Sequence, residues 1–244
     1  MPEPVTLQPG ATPALAKEAG KAATTTHAHT GIAVAQKLRA AILSGGLRPG
    51  AKLSERTLGA ELGVSRNTLR EAFTVLGAER IITRIPNRGV FVARPSRADV
   101  EEMYRIRRVL EPAALRQDAH GAARPALQNA LERAVDRGMA ARAGHDVPGM
   151  AAANQEFHAL VVALARSPRL DTMMAHVQAE MRLVFHALAG DPAFHAPFSV
   201  SNAHIFAQWK AGHCEAAARE MDGYLQQAQA HVLAAMPAER DGLP

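Results

Sequence analysis

The sequence predicts a mainly α-helical chain in two parts. The first is an N-terminal winged helix-turn-helix with a small β-hairpin wing, and the second is a C-terminal all-α helical bundle. Three observations carry this. Aromatic residues make up only 4% of a chain that is 48% hydrophobic, so the core is built mainly from Ala, Leu, Val and Met. That composition suits closely packed helices better than sheets. Residues 54–77 read as two short capped helices around a tight turn, followed by strand-like runs. From Ser96 to Met236 the apolar residues recur at helical spacing, interrupted at glycines and prolines.

Residues 1–31 are rich in Ala, Thr, Pro and Gly without periodicity and are expected to form a disordered tail. A helix is predicted from Ile32, with Ala35, Leu38, Ile42 and Leu43 on the same face. Ser44-Gly45-Gly46 stops it. Ser54 is a good N-cap for a short helix reaching Leu62. Gly63 breaks that helix, and Ser65 caps a third over 66–77 with Leu69, Phe73 and Leu76 facing inward. Ile81–Ile85 is β-branched and strand-like, Pro86-Asn87-Arg88-Gly89 is a turn, and Val90-Phe91-Val92 is a second strand. Arg94-Pro95 marks a boundary, giving a first domain over 32–95. Ser96 opens the next helix, with Asp99 three residues on as a variant of the capping box. Helices are predicted over 97–119, 125–143, 149–166, 168–188, 198–211 and 213–235. They form a second domain over 96–236, and 237–244 is expected to fray.

Cys214 is the only cysteine, which excludes an intrachain disulfide and a Cys-based zinc site. No apolar run reaches the roughly 18 residues that cross a bilayer, and the first 30 residues lack the features of a signal peptide. The expectation is a soluble cytoplasmic protein without a membrane partner. No nucleophile–base pair, phosphate loop or two-His-one-carboxylate set is visible, so an enzyme reading has nothing to stand on. Charge is unevenly placed. Residues 33–95 hold eleven Lys/Arg against four Asp/Glu, a net +7, whereas 96–244 hold fifteen against seventeen, a net −2. A block of this kind suits contact with a polyanion.

The third helix has the right chemistry for DNA. A Ser65 cap leaves free amides at a helix N-terminus, and that end attracts phosphate. Arg66, Asn67 and Arg70 fall on the first turn and a half, the part of a recognition helix that enters the major groove. An arginine can fork onto O6 and N7 of guanine; Asn67 suits adenine or phosphate. Thr68 suits a phosphate or a thymine methyl. Glu55 and Glu71 read as structural.

Two stretches resemble a known family. Gly46-Leu47-Arg48-Pro49-Gly50, Leu53-Ser54-Glu55-Arg56 and Leu62-Gly63-Val64-Ser65-Arg66-Asn67-Thr68-Leu69-Arg70-Glu71-Ala72-Phe73 resemble the DNA-binding signature of the GntR transcriptional regulators. The family more often has Thr-Pro where this chain has Asn67-Thr68. In the second domain Arg107, Leu110 and Glu111 resemble the first-helix motif, and Asn154 to His158 the Asp-x-x-Phe-His motif, of the FadR-like branch with its FCD-type sensor domain. The resemblance implies a homodimeric repressor on double-stranded operator DNA with an inverted repeat, in a bacterial cytoplasm and at the nucleoid when bound. It also implies DNA contacts from Arg56 and from Arg88 and Gly89 at the wing tip.

In that branch the sensor bundle often holds a divalent metal that receives a carboxylate effector, on an Asp and a His four residues apart and two later His. Residues four apart share a helix face. Here Asn154 stands at the Asp position and His158 is retained. Alignment through Lys210-Ala211-Gly212 and Glu215-Ala216-Ala217 puts Asn202 and Tyr224 at the two later positions. His204 is two residues off, about 200° around the helix. The expectation is therefore no obligatory metal; zinc, nickel or manganese, if bound, would sit on His158, Asn154 and Asn202. The expected effector is a small organic acid or related polar metabolite. Its site would comprise Arg107, Asn154, His158, Arg182, Asn202 and Tyr224, with Arg107 and Arg182 as carboxylate anchors. For each arginine the alternative is a salt bridge. For the whole chain it is a DNA-binding dimer without an effector, whose helical domain only dimerises.

Overall fold

The computed structural model describes residues 27–117, 124–188 and 192–237. They fall into two compact units. One comprises the described residues up to Pro95 together with Ala179–Ala187; the other runs from Ser96 to Gln178 and resumes at Leu188.

In the first unit the order is α1 (His27–Leu43), β1 (Lys52–Leu53), α2 (Glu55–Leu62), α3 (Arg66–Ala78), β2 (Ile82–Ile85) and β3 (Gly89–Val92). The helix-turn-helix is set by its caps. Ser54 accepts from the Thr57 amide at 3.3 Å, and Ser65 accepts from the Thr68 amide at 3.2 Å. Each satisfies an amide that the first helical turn cannot. Between them Gly63 takes a left-handed φ of 64°, which a side chain would resist. Three antiparallel strands lie in the order β1-β3-β2. The hairpin register pairs Ile82 with Val92 and Ile85 with Gly89, so the wing tip is Pro86-Asn87-Arg88. Asn87 carries φ 60° there, a conformation asparagine tolerates better than most residues.

The core of this unit gathers Leu38, Ile42, Leu58, Leu69, Phe73, Leu76, Ile81, Val90 and Val92. Arg39 on α1 and Glu79 after α3 close it with an ion pair, Nε to Oε2 at 2.6 Å. Two apolar side chains, Ala179 and Leu183, come from the C-terminal half of the sequence.

The second unit contains α4 (Arg97–Arg116), α5 (Arg124–Ala143), α6 (Val147–Ala163), the start of α7 (Pro168–Leu188), α8 (Pro192–Lys210) and α9 (Cys214–Ala235). Ser96 and Asp99 form a reciprocal capping box on α4. Helix α4 packs on α9 and α6, and α5 packs on α6 and α8. Tyr104, Leu115, Leu131, Phe157, Trp209, Met221 and Leu225 are fully buried between them. No helix of the described residues is long and apolar enough to cross a membrane.

Four local expectations change. The first helix begins at His27, inside the segment read as a disordered tail; residues 1–26 lie outside the description. Helix α8 begins at Pro192 and carries Pro197 within it, where the sequence predicts a break before 198. Helix α6 ends at Ala163, with Arg166 at φ 49°, rather than running through 166. The pairing of Lys52-Leu53 with β3 was not foreseen. Gly121, Gly190 and the tail from residue 238 lie outside the described residues.

Candidate functional site

Two groups of side chains have a geometry suited to function. The first is on the winged helix. Leu69, Ala72, Phe73 and Leu76 bury one face of α3, which leaves Arg66, Asn67 and Arg70 exposed on the other. Arg56 on α2 is exposed as well, and so are Arg88 and Gly89 at the wing. Gly89 has φ +111°, a region closed to most side chains. Arg70 donates from Nε to Glu55 Oε1 at 3.0 Å, which joins α3 to α2. Thr68 differs from its expected place as a DNA contact. It is 5% exposed, and its hydroxyl lies 2.9 Å from Ser65 Oγ, so it braces the cap.

The second group is buried in the helical unit, and it brings together positions 154, 158, 202 and 224. Asn154 and His158 stand one turn apart on α6, Asn202 on α8 and Tyr224 on α9, all within the core. His158 Nε2 lies 3.0 Å from the Tyr224 hydroxyl. That hydroxyl donates to Asn154 Oδ1 at 3.2 Å, and Asn202 Nδ2 donates to the same oxygen at 2.8 Å. The His158 and Tyr224 rings stack with centroids 5.3 Å apart.

A residue missed as a site member organises the other side. Glu111 is 0% exposed. One carboxylate oxygen accepts Arg107 Nε at 2.7 Å and the other meets His158 Nδ1 at 2.6 Å. The sequence held the signal: Arg107 and Glu111 are four apart, so a salt bridge along α4 was available. Arg107 also covers the Tyr104 ring at 5.1 Å.

Burial presses Glu111 toward protonation, but Arg107 and then His158 outweigh it and hold the carboxyl below its ordinary range. Burial, helped by Arg107, lowers His158 against the pull of Glu111, so the imidazole is neutral near neutral pH. Burial raises Tyr224 above the ordinary tyrosine value and pushes Tyr104 up to about 12, so neither is a phenolate. The cluster therefore carries one cation, Arg107, and one anion, Glu111.

The cluster is one proton short as its amides are placed. A neutral His158 that gives its Nδ1 proton to Glu111 has an acceptor at Nε2. The single Tyr224 proton then has two acceptors, Nε2 and Asn154 Oδ1. Half-turns of the Asn154 and Asn202 amides cure this at the same heavy-atom positions: Asn154 donates to Tyr224, and Tyr224 donates to His158. Arg107 Nη2 has no hydrogen-bond partner among the described residues, and neither has the atom of the Asn202 amide that is turned away from Asn154, Oδ1 before the half-turn and Nδ2 after it.

This set does not fit a divalent metal. Its polar atoms bond one another directly, two are neutral amides, and the phenol keeps its proton. Among the described residues no group of three or more His, Cys, Asp or Glu is placed to hold a metal ion. His204 is exposed on the surface of its helix, 3.8 Å from Glu220. Arg182, expected as a carboxylate anchor, is not in the cluster. It lies in the first unit and donates from Nε to the Leu43 carbonyl at 2.9 Å, and His186 Nε2 meets the same oxygen at 2.7 Å.

The comparisons agree with this division. Residues 31–92 match the model for bacterial regulatory proteins of the gntR family, and residues 102–227 match the FCD domain. A crystal structure described as a transcriptional regulator GntR from Rhodococcus sp. RHA1 is 38% identical, with a TM-score of 0.77, covering 85% of this chain and 99% of that one. An uncharacterised HTH-type transcriptional regulator of Agrobacterium vitis is 32% identical over 130 residues, 52% of this chain and 76% of its own. The gluconate operon transcriptional repressor of Bacillus subtilis is 42% identical over 84 residues, 34% of each chain. Escherichia coli McbR/YncC, at 22% identity and TM-score 0.70, shares the fold. These relatives and domains are those of transcription regulators, not enzymes. The chain belongs to the GntR family of bacterial regulatory proteins and carries an FCD domain behind its winged helix-turn-helix.

Proposed function

We propose that this regulator is a sequence-specific repressor that binds an inverted-repeat operator as a homodimer through residues 32–95. Residues 96–236 dimerise it and sense a small polar metabolite, an organic acid or a related compound, without an obligatory metal. The exposed Arg66, Asn67 and Arg70 on a capped helix, with Arg56 and Arg88 beside them in sequence blocks of positive charge, support DNA reading. Ser65 and Thr68 shape the helix start, and Gly89 the wing tip.

One observation carries the sensor reading: Arg107 Nη2 and the outer atom of the Asn202 amide are buried in the helical unit without hydrogen-bond partners among the described residues. Buried polar groups are rarely left so, and a polar ligand that reaches either one would satisfy it. Effector binding would shift operator affinity by its differential affinity for two states of the dimer. Thermal unfolding of the full chain against a panel of small carboxylic acids and their amides tests it. A saturable rise in midpoint that Arg107→Lys abolishes supports the reading; no rise with any member counts against it.

A second reading has its own support. Glu111 already occupies Arg107 and His158, so the cluster can serve as a polar core of a domain that only dimerises. In that case operator affinity is insensitive to every compound in the panel.

A further inference from the structure

We propose that Glu55 is a positioning residue for sequence reading: its carboxylate holds the Arg70 guanidinium so that the terminal nitrogens are free to meet a base. This rests on the assignment of α3 to the DNA. The pair is partly exposed, with the Arg70 side chain 58% and the Glu55 side chain 29% accessible. An exposed ion pair of this kind contributes little to stability, so stability is a poor reason for it. Its geometry suits another role. The bond to Glu55 uses Nε, and among the described residues the two terminal nitrogens hold no partner. Guanine O6 and N7 are met by two parallel N–H groups, which the terminal edge supplies.

A free arginine would lose much of its rotamer freedom on docking. Glu55 removes part of that cost beforehand. It stands in the first turn of α2, directly after the Ser54 cap, so its backbone is fixed and an acid there is favourable. The carboxylate also repels phosphate, which disfavours DNA that offers Arg70 no base. Both effects widen the gap between operator and random sequence.

The test is selection of duplexes from a random library by the full chain, followed by titration with the selected duplex and a scrambled one. The variants are Glu55→Ala, Glu55→Gln and Arg70→Ala. Glu55→Ala is expected to flatten base preference at the position that Arg70→Ala flattens, and to lower the selected-to-scrambled affinity ratio about five- to tenfold. Glu55→Gln, whose amide oxygen still accepts from Nε, is expected to retain more of the preference. The double variant Glu55→Ala/Arg70→Ala is expected to be no less selective than Arg70→Ala. Unchanged base preference in Glu55→Ala, or equal loss on both duplexes, overturns the proposal while leaving the DNA-facing assignment standing. An unchanged motif in Arg70→Ala overturns the assignment itself. If Glu55→Ala fails to fold, Glu55→Met decides, because it keeps the side-chain length and removes the acceptor: a preference equal to the parent's at that position overturns the proposal.

Discussion

Glu111 and His158 meet at 2.6 Å from two different helices, α4 and α6, and neither side chain reaches solvent. This contact, with Arg107 on the other carboxylate oxygen, makes Glu111 the hub of the helical unit rather than a bystander in a motif.

Removal of that hub should be costly. Glu111→Ala leaves Arg107 buried without its anion, and breaking one side of a buried pair costs about 3–5 kcal/mol. Glu111→Gln should cost less, because its amide oxygen still accepts from Arg107 Nε. Denaturant unfolding of the full chain measures both. A loss under about 1 kcal/mol for Glu111→Ala would mean that the pair is replaceable by water.

The same pair gives the pH dependence a sign. Folding lowers the affinity of His158 for protons, chiefly through burial. Its contribution to stability is present above the unfolded value near 6.5 and is lost as pH falls below it. Glu111, held below its ordinary range by Arg107 and His158 against burial, contributes above its unfolded value and loses that contribution as pH falls further. Both act in one direction, toward acid instability. Between pH 7.5 and 5.5 the parent should lose more stability than His158→Gln, compared as difference curves. A steeper slope in the variant would show the imidazole to be charged in the fold.

Arg182 should behave as a structural residue of the winged-helix unit. It and His186 bond to the last carbonyl of α1, where helix ends lack intrahelical partners. Arg182→Ala should weaken amide-exchange protection in the last turn of α1. Leu183→Ala, which empties a fully buried place in the same core, should cost about 2–5 kcal/mol. If Arg182→Ala left that protection unchanged but abolished a metabolite-induced thermal shift, its role as an anchor would be restored.

Protein purified without chelator should contain well under one equivalent of zinc, nickel or manganese. Neutral amides and a protonated phenol bring no negative charge to a divalent ion. Stoichiometric metal that disappears in His158→Ala would contradict the hydrogen-bonded arrangement.

Much of this was legible because it is local. Ser54, Ser65 and Ser96 act on amides three residues ahead, and Gly63 is a single-residue requirement, so each leaves its mark in sequence. The convergence of Asn154, His158, Asn202 and Tyr224 was legible through family spacing. Most of what was missed depends on tertiary structure. Arg182 and Glu111 are both charged residues on helices, and only packing decides that one faces the winged helix and the other the bundle core. Thr68 looked like a contact because it shares a turn with Arg66; its hydroxyl turns to Ser65. The strand Lys52-Leu53 is two residues long, too short to show an alternation. Pro197 lies within α8, where the packing of its neighbours on α5, α6 and α9 can offset one lost backbone hydrogen bond.

The most direct test of the central claim is operator binding by the full chain and by Arg66→Ala. Duplexes selected from a random library by the parent should contain an inverted repeat, with half-sites about one helical turn apart. On the selected duplex Arg66→Ala should bind about 1–3 kcal/mol more weakly, with base preference relaxed at one position per half-site. Equal binding by parent and variant to selected and random duplexes would contradict the assignment of α3 as the recognition helix.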